Sequence, residues 1–123
     1  LMSRIRGRDT KPEVLIRKLI YNLGFRYRLY VKSLPGCPDL VFRSRKKVIF
    51  VHGCFWHRHD CPRGTLPKTR RAFWEEKLQR NQIRDERNRT ELSNLGWSVM
   101  TVWECELKEI DRLASRIKNF LDS

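Results

Sequence analysis

The chain has 123 residues, enough for one domain with a single core and too few for two. Hydrophobic residues make up 40%, which fits a globular fold, and no apolar run approaches the roughly 20 residues needed to cross a bilayer. The 27 Lys and Arg against 14 Asp and Glu leave a net charge of +13, which points to a polyanionic partner, nucleic acid first. No signal-peptide pattern opens the chain, and three of its four cysteines lie near turns or near the histidines. The expectation is therefore a soluble, intracellular protein whose cysteines bind metal rather than pair as disulfides.

Residues 10–23 read as the first helix. Thr10 and Glu13 have capping-box spacing, Pro12 is tolerated in the first turn, Gly24 is a stop, and Val14, Leu15, Leu19, Ile20 and Leu23 form the apolar face. Phe25, Tyr27, Leu29 and Val31 then alternate with Arg26, Arg28 and Tyr30, predicting a strand with one buried face that ends at the turn Leu34-Pro35-Gly36-Cys37-Pro38. Residues 39–43 and 47–51 are two β-rich runs joined by Ser44-Arg45-Lys46, a hairpin pattern. Residues 70–94 predict a long charged helix whose sparse apolar contacts are Phe73, Trp74, Leu78, Leu92 and Leu95, with Phe73 read as core. Residues 97–103 are nearly all apolar and read as a central buried strand, and Leu107, Ile110, Leu113 or Ala114, Ile117 and Leu121 trace a closing amphipathic helix. With no repeat, low-complexity tract or linker, the order helix, three strands, helix, strand, helix predicts one mixed α+β (α/β) domain over residues 1–123, a central sheet covered by helices.

The chemistry is concentrated after the second hairpin strand. All three histidines and two of the cysteines fall in the run His52-Gly53-Cys54-Phe55-Trp56-His57-Arg58-His59-Asp60-Cys61. Cys54, His59 and Cys61 have the spacing CxxxxHxC, which can wrap three ligands round a zinc ion, and Cys105 at the end of the last strand can supply the fourth; the other reading of Cys105 is a buried free thiol, which is also how Cys37 reads. That leaves His52 and His57 to face Asp39 across the hairpin, a carboxylate beside imidazoles that suits Mg²⁺ and a proton-accepting base.

The blocks Arg6-Gly7-Arg8-Asp9-Thr10-Lys11-Pro12-Glu13, Gly36-Cys37-Pro38-Asp39-Leu40, Phe50-Val51-His52-Gly53-Cys54-Phe55-Trp56-His57, Phe73-Trp74 and Gly96-Trp97 through Val102-Trp103-Glu104-Cys105 resemble, in order, the very short patch repair (Vsr) DNA mismatch endonucleases. The resemblance implies a restriction-endonuclease-like fold and Mg²⁺-dependent nicking of one strand 5′ to the thymine of a T:G mismatch. By residue it implies Asp39 as the Mg²⁺ carboxylate, His57 as general base, His52 as accessory histidine, Glu13 and Asp85 as supporting acids, and Cys54, His59, Cys61 and Cys105 as structural zinc ligands. Phe55, Trp56 and Trp74 match the aromatics that enter the base stack. Val51 stands where relatives can carry a metal-associated threonine, a role a backbone carbonyl fills equally well, and the histidines replace the acidic-x-lysine half of the usual restriction-enzyme motif. The implied setting is a monomer in the bacterial cytoplasm, on nucleoid DNA, with other mismatch-repair proteins as further partners.

Plainer readings stand beside these. Glu13 can simply complete a capping box, and Asp85 can be an i,i+4 partner of Arg89. Phe55 and Trp56 can be core, although their place between metal-site residues on a basic protein favours insertion into DNA. Basic faces at residues 4–8, 43–47, 63–71 and 80–89 are expected to meet phosphates. The competing function is a zinc-stabilised, non-catalytic DNA-binding module, with an RNA-binding or protein-binding domain behind it.

Overall fold

Apolar side chains on both faces of one small sheet sort the chain into three layers. The computed structural model describes residues 9–123; the basic stretch at residues 4–8 expected against phosphate lies outside the described residues. Helix α1 spans Lys11–Asn22, strand β1 Arg28–Leu29, β2 Leu40–Phe42, β3 Lys47–His52, helix α2 Arg71–Asn94, strand β4 Ser98–Trp103 and helix α3 Ile110–Asp122. The strands lie in the order β1-β2-β3-β4, the first three antiparallel and β4 parallel to β3 through the α2 crossover. No helix among the described residues is long and apolar enough to cross a membrane.

Strand parity decides which layer each residue joins. Leu40 and Phe42 of β2, Ile49 of β3, and Met100 and Val102 of β4 face α1 and α3, meeting Ile16, Ile20, Leu113, Ile117 and Leu121. Val41, Val48 and Phe50 face the other way, against Leu92 of α2. The buried stripe of α1 is Glu13, Ile16 and Ile20, so the helix is rotated from the expected face and Leu15 is 41% exposed.

Three other expectations are corrected. The alternating run from Phe25 to Val31 pairs with the sheet only at Arg28 and Leu29, because Tyr30 adopts a left-handed φ of 50° that turns the chain away. Residues 97–103 are not a central strand: β4 sits at the sheet's edge, burying only Met100 and Val102, and the interior strands are β2 and β3. Helix α2 buries only Leu78 and Leu92, leaving Phe73 44% and Leu95 56% exposed. Its length explains this, since a helix of 24 residues is about 36 Å long and overhangs strands of about 20 Å.

Lys47 also departs from expectation. Its ammonium is buried and donates to the carbonyl oxygens of Phe120 at 2.5 Å and Ser123 at 2.7 Å, so it caps the end of α3 rather than meeting phosphate. Arg45 joins it, donating to the Leu121 carbonyl at 2.8 Å.

Because Leu92 is the fully buried contact of α2 with the sheet, Leu92→Ala is expected to cost about 2–5 kcal/mol in chemical denaturation, against less than about 0.5 kcal/mol for Leu95→Ala.

Candidate active site and metal centre

One cleft of about 840 Å³, between α1, the end of β3 and α2, is lined by Glu13, Asp39, Val51, His52, His57 and Asp85, six residues expected at the catalytic site. Trp56 stands at its wall. The hairpin and the preceding turn deliver Asp39. Gly36 and Cys37 both take left-handed φ values, 77° and 47°, and a Cβ on Gly36 would lie 2.8 Å from the Asn88 amide nitrogen, so the turn needs glycine where it meets α2. Cys37 is consequently a half-buried wall of the cleft and not the buried thiol expected.

Asp39 accepts the Val51 amide proton at 2.7 Å through Oδ2. Burial nonetheless pushes its carboxyl up to about 7, against that bond and with the Glu13 charge adding to the rise. A cation beside such a carboxyl favours its ionised form, and a carboxylate oxygen is the donor a Mg²⁺ site uses. Glu13 lies in the first turn of α1, its amide donating at 3.4 Å to Oγ1 of Thr10, which caps the helix. It also does more: its carboxylate takes the Asp9 amide at 2.8 Å and the Tyr30 hydroxyl, with Arg17 at 3.5 Å. Burial and that bond push the Tyr30 phenol up to about 12, so it stays a donor.

The two cleft histidines stack, ring centroids 3.7 Å apart and planes within 5°. His57 Nδ1 meets Asp85 Oδ2 at 2.5 Å. Asp85 is therefore not simply an i,i+4 partner of Arg89. Burial would raise its carboxyl, but the bond and charge of His57 hold it below the ordinary range. With Nδ1–H donated to Asp85, His57 Nε2 is left as the acceptor. His52 is different: burial, with the neighbouring His57 ring, drives it down to about 3, and its Nδ1 is buried without a hydrogen-bond partner. A neutral, unpaired imidazole nitrogen is an available metal ligand.

Cys54, His59, Cys61 and Cys105 place one ligand atom each within 4.8 Å of one another, three from the loop after β3 and one just past β4. The strands explain the meeting, since His52 at the end of β3 is paired with Trp103 at the end of β4. The four donors suit a closed tetrahedral zinc site. Burial pushes the Cys54 thiol up to about 12, so a thiolate there depends on a bound cation. Gly64 closes the loop: any Cβ on it would stand 2.1 Å from the His59 carbonyl oxygen. Trp103 lies between the two centres, stacked on His59 at 4.1 Å and edge-on to His52 at 5.3 Å.

Phe55, Trp56 and Trp74 form one aromatic cluster with centroids 5.1 to 5.9 Å apart, and Trp56 is 49% exposed. Phe73 joins its outer side, 5.2 Å from Trp74, instead of entering the core. Asn81 of α2 donates to the Trp56 carbonyl at 2.9 Å, tying the cluster to the helix. Tyr30, Arg17, Gly64, Trp103 and Asn81 were not foreseeable as site residues. Two of them carry a weak sequence signal all the same, Tyr30 as the polar-tipped aromatic on the outward side of an alternating run and Trp103 as part of the block that ends in Cys105.

A family model described as DNA mismatch endonuclease Vsr matches residues 1–63. The Type II nicking enzyme V.XorIIP of Xanthomonas oryzae pv. oryzae is 48% identical over 122 residues, spanning 99% of this chain and 90% of its own length. The Type II nicking enzyme V.NmeAIP of Neisseria meningitidis is 45% identical over 126 residues, 97% of this chain and 90% of its own. The DNA mismatch endonuclease Vsr of Escherichia coli is 44% identical over 112 residues, 91% of this chain and 72% of its own. Carrying the cleft, the paired histidines and the Cys/His cluster described above, the chain belongs to the Vsr family of DNA mismatch endonucleases.

Proposed function

We propose that the protein is a Mg²⁺-dependent mismatch endonuclease on a restriction-endonuclease-like sheet, nicking one strand 5′ to the thymine of a T:G pair. The observation that carries this reading is the His57–Asp85 pair at 2.5 Å beside the half-buried Asp39 in one open cleft. A non-catalytic DNA-binding module has no use for a carboxylate-oriented histidine there. The +13 charge fits the duplex, and the likeness to mismatch and nicking enzymes fits the reaction. In this reading it acts as a monomer on nucleoid DNA in the bacterial cytoplasm, alongside other mismatch-repair proteins.

Bound at Asp39 and the Val51 carbonyl, Mg²⁺ would polarise the scissile phosphate and neutralise its developing charge. His57 Nε2 takes the proton of the attacking water, while Asp85 holds the ring and stabilises the imidazolium that forms. Attack at phosphorus breaks the bond to O3′, giving a 5′-phosphate and a 3′-hydroxyl. Glu13, fixed by Tyr30 and Arg17, supports Asp39. His52 packs the His57 ring. Phe55, Trp56 and Trp74 enter the stack beside the mismatch, where unstacking costs less than in paired duplex. Zinc held by Cys54, His59, Cys61 and Cys105 would brace the loop that carries both the base and the wedge.

A labelled duplex with one T:G pair tests the function. A single nick in Mg²⁺, its absence in EDTA and its weakness on a T:A duplex are expected; no nick by the wild type at low salt contradicts the proposal.

Asp39→Asn separates activity from stability. A folded-state carboxyl raised from 3.8 to about 7 favours the folded protein fully below pH about 4 and loses that contribution as pH rises through about 7. His52 runs oppositely: lowered from 6.5 to about 3, its contribution is present above pH about 6.5 and is lost as pH falls towards 3. In metal-free protein Asp39→Asn should therefore melt higher than wild type at pH 8, by at most about 4 kcal/mol in stability, and match it at pH 4. It should also fail to nick, and Mg²⁺ should raise the melting temperature of wild type only.

Zinc removal should act on the fold of one loop. Stripping the ion with a strong chelator, or Cys105→Ser, is expected to make residues 53–66 protease-sensitive and lower the melting temperature, with the helical circular dichroism largely kept. Unchanged proteolysis would argue against a zinc site.

A further inference from the structure

Among the described residues the cleft is lined by four carboxylates, Glu13, Asp39, Asp85 and Glu104, and by one arginine, Arg84. A phosphodiester has to enter this acidic place, and the protein's overall positive charge, spread over its surface, does not cancel the local repulsion within a few ångströms. Glu13 and Glu104 have arginines of their own, Arg17 at 3.5 Å and Arg63 at 3.4 Å. Asp39 has no such partner among the described residues.

Five arginines lie on α2, at positions 71, 80, 84, 87 and 89, and of these Arg84 is the one that lines this cleft. Arg71 and Arg80 are paired with Glu75 at 3.3 Å and Glu76 at 2.7 Å, whereas Arg84 is exposed, carries no ion pair among the described residues and donates Nη2 to Asn81 Oδ1 at 3.0 Å. Residues 81, 84, 85 and 88 share one face of the helix, and three of them, Arg84, Asp85 and Asn88, line the cleft. Asn81 also holds the Trp56 carbonyl at 2.9 Å, so one amide links the wedge loop to the Arg84 guanidinium.

We propose that Arg84 grips the non-bridging oxygens of the phosphate that is hydrolysed, its fork aimed by Asn81 so that seating of Trp56 and hold on that phosphate depend on each other. The proposal rests on the nuclease reading above. A planar guanidinium with several donors free is suited to bidentate phosphate contact, and a lysine would keep the charge without the fork. Its neighbour Asp85 orients His57, which puts the gripped phosphate next to the base.

The test is a binding cycle in EDTA, where nothing is cut, alongside nicking in Mg²⁺. T:G duplexes with either a normal phosphate or a neutral methylphosphonate 5′ to the mismatched thymine are bound by wild type, Arg84→Gln and Arg84→Lys. The preference for the charged linkage should fall about tenfold or more in Arg84→Gln and be partly recovered in Arg84→Lys. Nicking of the normal duplex should fall in the same order, with melting temperatures unchanged because the side chain is exposed. Equal preference in wild type and Arg84→Gln, with the wild type still nicking, overturns the role of Arg84 and leaves the nuclease reading standing; a wild type that does not nick overturns both.

Discussion

The hydrogen bond between His57 and Asp85 joins the two halves of the site. Its partners are 28 residues apart and come from different layers, one from the loop after β3 and the other from α2. Neither element would hold its residue usefully alone. The loop is a short winding of backbone bonds, with the His57 amide on the Gly53 carbonyl at 3.2 Å and the His59 amide on the Cys54 carbonyl at 2.9 Å. Helix α2 overhangs the sheet and is fixed to its core chiefly through Leu92. The bond at 2.5 Å couples them, sets the acceptor nitrogen of His57, and gives the half-buried Asp85 the partner that makes its charge tolerable.

Around that bond the protein gives up stability for readiness. Asp39 is half-buried with one amide donor and His52 is buried with an unpaired Nδ1, arrangements that cost folding free energy in the metal-free state. Both become reasonable if cations and phosphate complete the site. The same loop carries Cys54, Cys61 and His59 of the Cys/His cluster, His57 and the exposed Trp56, so one short segment positions all of them, with His52 stacked on His57 from the end of β3. Trp103 extends this to β4 by touching His59 and His52 at once.

Much of this was legible in the chain. Spacing singled out Cys54, His59 and Cys61, and the expectation that neighbouring strand ends meet added Cys105; the four do gather in one place, because the parallel strands β3 and β4 end together. Asp39 and the cleft histidines were found by their place at the open end of a hairpin and by family resemblance. What failed was whatever depends on a third element. Strand β4 is apolar although it lies at the edge, since its two faces pack against α3 and α2. The apolar face of α1 was misjudged by one stripe, because packing against α3 and not spacing chose Ile16 over Leu15. Lys47 looked like one more surface cation until the end of α3 came to rest on it. The link from Asn81 to Trp56 and Arg84 leaves no mark in a linear pattern at all.

The most direct test of the account is the single-turnover nicking rate of Asp85→Asn on a T:G duplex, measured with its binding affinity and melting temperature. An asparagine keeps the shape but no longer holds the imidazolium or enforces the Nδ1–H tautomer. The account predicts a rate lowered by roughly 10²–10⁴ with binding and melting close to wild type. A rate equal to wild type would contradict the assignment of His57 and Asp85 as the working pair.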